Sequence, residues 1–137
     1  MYKTIVVPVD LAHRERLDKA LATAADLAKL HGAVIHCVGV TAAAPSAVAR
    51  DPAGFLAALQ DFAAEQSQRH GVEMRADAVT SHDPARDLDA ALSAAIHEVG
   101  ADLVVMASHV PGFMDHLFTS NAGYLATHSD VSVFVVR

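Results

Sequence analysis

The sequence has no tryptophan, a single cysteine, and only 7 glycines and 5 prolines in 137 residues. One cysteine, Cys37, excludes an internal disulfide framework and fits a reducing cytoplasm. Charged residues are scarce at 19%, and the excess is acidic, with a formal net charge of −6 at pH 7. The few lysines and arginines are scattered, which argues against a nucleic-acid footprint, since that needs a clustered basic face. Long apolar runs are missing too. The run of residues 5–9 is strand-sized and closes at Asp10, well short of the roughly 18–20 residues needed to span a bilayer. No basic segment followed by an apolar core and a small-residue cleavage site opens the chain, so no signal peptide is expected.

What is abundant is alanine. Hydrophobic types make up 53% of the chain, above the usual ~45–50%. Yet 28 of the 137 residues are alanine, so small helix formers inflate the figure. The length suits one domain, taken as residues 1–137, soluble and cytoplasmic.

Five segments rich in Val, Ile and Leu alternate with helical patterns. Residues 3–9, 33–40, 72–80, 102–107 and 131–136 read as strands. The third alternates Met74, Ala76 and Ala78 with polar neighbours, as an exposed strand near an edge does. Between the first two strands, residues 14–31 carry Leu17, Ala20, Leu21, Ala24, Leu27 and Ala28 in one helical stripe, closed by Gly32. Asp51-Pro52 and Asp83-Pro84 each read as an N-cap followed by proline at the first helical position. The first of these helices carries Phe55, Leu56, Leu59, Phe62 and Ala63 and ends at Gly71. The second carries Leu88, Ala91, Leu92, Ala95, Ile96 and Val99 and ends at Gly100. A turn at Pro111-Gly112 precedes a short helix from 120 to about 128.

A helix between every consecutive pair of strands predicts a doubly wound parallel sheet in a three-layer α/β/α arrangement, of order 3-2-1-4-5 or 2-1-3-4-5. Ligands in such sheets bind beyond the carboxyl ends of strands where the order reverses. For the first order this is the crevice between strands one and four. Pro8, Val9 and Asp10, then Met106, Ala107, Ser108 and His109, fall there, with Val38 and Val40 beside them on strand two. The helix starting near Thr119, Ser120 and Asn121 directs its N-terminus to the same place.

The segments "TIVVPVDLA", "HDPARDLDAALSAAIHEVGADLVVMASH" and "SNAGYLATHSDVSVFVVR" resemble the universal stress protein family, in order and across essentially the whole chain. The resemblance implies the order 3-2-1-4-5, the fold of the adenine nucleotide alpha hydrolases, and homodimers joined through the last strand. Many members bind ATP through Gly, two residues, Gly, nine residues, Gly, then Ser or Thr. Here those glycines correspond to Ala107, Val110 and Thr119, eight residues separate the last two, and only Ser120 survives. A β-branched Val110 where backbone must meet phosphate obstructs that contact sterically. The chain resembles the branch around universal stress protein A, which lacks these glycines and is regarded as not binding ATP.

The expectation is therefore a homodimeric stress-response protein that acts by binding a regulatory protein partner, not by catalysis, with no nucleic-acid or membrane partner. No cofactor is required. ATP or AMP in the crevice is the alternative, with Asp10 facing adenosine and the amides at Ser120 holding phosphate. A hydrolase built on His109 and Ser120 lacks a general base at fixed spacing and an elbow motif. His109, His116 and His128 match no compact metal pattern. His31, His70 and His97 end helices, where a cationic ring suits the dipole. Cys37 reads as a buried small hydrophobe. Val131, Val133 and Val135 on one side of the last strand, with Phe134 and Val136 on the other, form an edge that invites pairing.

Overall fold

A computed structural model describes residues 1–42, 44–45, 48–107 and 130–137, with the side chains of residues 84–86 left aside. The stretch 108–129, which carries the expected short helix, lies outside the described residues. Strands β1 (Thr4–Pro8), β2 (Val34–Ala42), β3 (Met74–Ser81), β4 (Leu103–Ala107) and β5 (Ser132–Val136) form one parallel sheet in the order β3-β2-β1-β4-β5. Helices α1 (Asp18–His31), α2 (Pro52–His70) and α3 (Pro84–Glu98) connect the first four strands. Helices α1 and α2 touch each other on one face, while α3 lies against β2 and β3 on the opposite face.

The central strand β1 and its neighbour β4 are covered on both faces, hence their unbroken apolar sequence. Ile5, Val6 and Val7 of β1 and Val104 and Val105 of β4 are fully buried. Alanine lets α1 approach them closely: Ala20, Ala24, Ala25 and Ala28 are all buried beside Leu21. The same need for proximity explains Gly39 in β2. A β-carbon there would stand 2.8 Å from Cζ and 2.9 Å from Cε1 of Phe55 on α2.

Helix starts follow the expected chemistry. Asp51 caps α2 by accepting from the Gly54 amide at 2.7 Å, and α3 begins at Pro84 behind Asp83. Gly32 and Gly71 close α1 and α2 in the left-handed region, at φ 68° and 67°. The expected stripe on α2 needs one correction. Leu56 is exposed, and Gln66 occupies the buried continuation after Phe55, Leu59, Phe62 and Ala63. Beginning the first helix at residue 14 is a second correction. Leu11–Leu17 is a 3-10 segment with a non-helical break at His13, and the α-helix proper starts at Asp18. Asp10 caps this segment, its carboxylate accepting from the Ala12 amide and its carbonyl accepting from the His13 amide at 3.0 Å, the i to i+3 bond of a 3-10 turn.

At the opposite end of the sheet Asp102 binds three chain segments together. Its Oδ2 accepts from the Lys3 amide at 2.9 Å and its Oδ1 from the Thr4 amide at 3.1 Å, while its carbonyl accepts from the Ser132 amide at 3.1 Å. These bonds align the starts of β1, β4 and β5.

His70 departs from the dipole expectation. Its Nε2 is buried without a partner, and burial first, then the nearby Arg69 and Lys29 charges, push its pKa below 6.5; Asp18 and Asp26 oppose them only in part. The fold thus favours the neutral ring. The associated stability is present above pH 6.5, the unfolded value, and is lost as pH falls toward the lower folded value. Urea midpoints should accordingly decline below that pH, and His70→Asn should flatten the decline; an unchanged profile would remove His70 as its cause. Gly39→Ala should lower stability by about 1–3 kcal/mol, because the β-carbon must displace a buried ring. Equilibrium denaturation measures this as a lower midpoint at constant slope.

Candidate functional site

The reversal of strand order falls between β1 and β4, and the sheet divides there. Their register contains only Ile5–Leu103 and Val6–Val104. By contrast β1 stays paired with β2 as far as Pro8–Val38, and β4 stays paired with β5 as far as Ala107–Val136. Each strand follows its outer neighbour, and the seam opens toward the carboxyl ends.

Beyond the seam the chain from β1 is held on the β2 side by the Val9 amide donating to the Val38 carbonyl at 2.8 Å. This brings Pro8, Val9, Asp10 and Val38 together as the sequence suggests, with Val40 two residues further along β2. Pro8, Val9 and Val38 are buried, and Val40 is half-buried. Met106 and Ala107 end β4 across the seam and are also buried. The walls near the sheet are therefore apolar, and Asp10 supplies the charge. Ser108, His109, Val110, Thr119, Ser120 and Asn121 lie outside the described residues.

Asp10 is organised more fully than its sequence context implies. Its Oδ1 accepts from the Ala12 amide at 3.0 Å, and its Oδ2 lies 3.0 Å from Nδ1 of His13. The carboxylate is 17% exposed and the imidazole 40%, so an inner acid carries a half-open ring. With Nδ1 turned to the acid, Nε2 is the ring atom left for solvent or ligand. His13 is the residue that reading along the sequence overlooks. Its only signal is the three-residue spacing from Asp10, which becomes a contact because the intervening chain turns at 3-10 pitch.

Two other chemistry-bearing groups are structural. The Cys37 thiol is fully buried; burial, and secondarily the Asp77 charge, push its pKa up to about 12, leaving no thiolate for redox chemistry. His36 and Asp77 meet across β2 and β3 at 2.6 Å between Nδ1 and Oδ2, on the face opposite Gly39. Among the described residues, no group of three His, Cys, Asp or Glu side chains could hold a metal ion, and no helix is long and apolar enough to cross a membrane.

A divided parallel sheet of this order, with an acid capping the turn after its first strand, defines an α/β domain of the adenine nucleotide alpha hydrolase-like class. The comparisons are more specific. The model of the universal stress protein family matches residues 1–137. Universal stress protein G of Escherichia coli O157:H7 is 34% identical over 148 residues, covering 100% of both chains. The chain belongs to the universal stress protein family. Among solved structures, a universal stress protein in complex with cAMP superposes with a TM-score of 0.67 at 21% identity, covering 99% of this chain and 97% of the other. The Archaeoglobus fulgidus universal stress protein in complex with dAMP gives 0.62 at 20% identity, covering 99% and 98%. At these identities the structures establish the shared fold.

Proposed function

We propose that this chain is a homodimeric cytoplasmic stress-response protein that acts by binding a regulatory protein partner and not by turnover. The observation that carries this is the state of Asp10. Its two carboxylate oxygens are already engaged, by the Ala12 amide and the His13 ring, at the mouth of a crevice with apolar walls. An acid so held is fixed in place to position a contact. The substituted glycine positions support the same reading. By resemblance to the family's glycine pattern, Ala107, Val110 and Thr119 take the sequence positions of glycines that would let backbone approach a triphosphate.

A second reading has a specific observation in its favour. The seam between β1 and β4 opens beside Asp10, and the two structural neighbours described above hold cyclic or deoxy adenosine monophosphates. A monophosphate demands fewer backbone donors than ATP, so AMP is the better candidate of the two.

Dimerisation is proposed through β5. This strand is a sheet edge, with Val131, Val133 and Val135 half-buried and Phe134 45% exposed. Among the described residues no strand pairs with its outer side, which offers backbone groups to a second copy.

The first reading predicts no change in melting temperature when nucleotide-free protein is titrated with millimolar ATP or AMP, with or without magnesium. A ligand at 100-fold excess over its dissociation constant adds about 2.7 kcal/mol, a readily measured shift. An AMP-dependent rise that disappears in Asp10→Ala would replace the first reading with the second. For the dimer, Val133→Glu, or Phe134→Glu at the more exposed position, should elute as a folded monomer on a sizing column. Unchanged elution of both variants would place the interface elsewhere.

A further inference from the structure

Asp10 is satisfied from within its own turn, and one of the two groups that satisfy it is removable. The acid stands at the mouth of the crevice between β1 and β4, the place where ligands of open parallel sheets bind. The surrounding Pro8, Val9, Val38, Met106 and Ala107 are buried and carry no charge. A ligand suited to this mouth has an apolar body and a hydrogen-bond donor for the carboxylate. A nucleoside has both, in its base and its ribose hydroxyls.

His13 already supplies the donor. Oδ1 of Asp10 accepts from the Ala12 amide at 3.0 Å, a bond that belongs to the cap of the Leu11–Leu17 segment. Oδ2 lies 3.0 Å from Nδ1 of His13, and this bond joins two side chains. The backbone fixes the first; rotation about the His13 side-chain torsions exchanges the second. Exposure orders the two groups. The carboxylate is 17% exposed and the imidazole 40%, so the ring is the outer of the pair. The chain also departs from helical geometry at this residue alone within the segment, with His13 at φ −132° and ψ 37°. The kink and the ring contact thus fall on the same residue.

We infer that His13 is a built-in occupant of Asp10: its ring takes the Oδ2 that a ligand hydroxyl or amine would use and holds the crevice against nucleosides and their monophosphates. The inference rests on the first reading of function, in which the chain takes up no nucleotide, and gives that reading a removable cause. A hydrogen bond to a charged group has to be exchanged before a ligand donor replaces the ring. Apparent affinity falls in proportion to the fraction of molecules in which Asp10 is free.

The test is calorimetric titration of the wild-type protein, His13→Ala and the double variant His13→Ala/Asp10→Ala with adenosine and with AMP. Melting curves without ligand establish that each variant is folded. The expected result is no saturation of the wild type at millimolar ligand and saturable binding by His13→Ala, at least about tenfold tighter than any wild-type binding. The double variant should lose what the single variant gained. No binding by either wild type or His13→Ala would overturn the inference and leave the first reading standing. Wild-type binding that tightens tenfold in His13→Ala would remove that reading and keep the role of His13. Equal binding by the two would overturn both. A gain that survives in the double variant would also overturn the inference, since it would not run through Asp10.

Discussion

The seam between β1 and β4 is the constraint on which the rest of the molecule depends. At one end Asp102 joins the starts of β1, β4 and β5 through two side-chain and two backbone hydrogen bonds. At the other end the two strands pair at Ile5–Leu103 and Val6–Val104 and then go no further together. Sheet twist accumulates between neighbouring strands, and each of these two has an outer partner that it follows to its end. A sheet closed at one end and divided at the other leaves a crevice without any residue having to be sacrificed from the core. Pro8, Val9, Val38, Met106 and Ala107 remain buried around it.

Compactness follows from the same arrangement. Strands covered on both faces must be apolar throughout, and helices lying on them must be narrow where they touch. Alanines on α1 and Gly39 beneath Phe55 answer those two demands. The surplus of small apolar residues in the composition is thus the counterpart of a double-sided sheet. The positions where polar atoms enter this interior carry separate meanings. His36 and Asp77 satisfy each other, Cys37 is held protonated, and Gln66 has its oxygen unpartnered.

Much of the architecture is legible from residue order because the signals are local. Strand runs such as 5–7 and 103–107, the Asp-Pro caps at 51–52 and 83–84, and the glycines at 32, 71 and 100 each act within a few residues of themselves. The acid after the first strand is legible for the same reason, and so is the edge character of β3 and β5. Leu56 fits the helical stripe by spacing yet is exposed, because periodicity cannot say which flank of a stripe meets the sheet. His70 departs from a cationic cap because its ring is desolvated and because Lys29 of α1, some forty residues away, adds a like charge that no local pattern encodes.

The sequence by itself determined the class of fold, the parallel sheet and membership of the universal stress protein family. Those properties rest on periodicity, capping chemistry and side-chain size, which act at short range along the chain. Only the tertiary structure decided that the chain after Asp10 turns at 3-10 pitch, that His13 thereby meets Asp10, and that β1 and β4 part after two paired positions. It alone also put Arg14 and Glu15 across a cleft from Glu65 and Gln66. The last two depend on distances between segments far apart in sequence, which exist only when the fold has brought the segments together; the turn after Asp10 is local, but its 3-10 pitch is a backbone geometry that residue types and periodicity leave open.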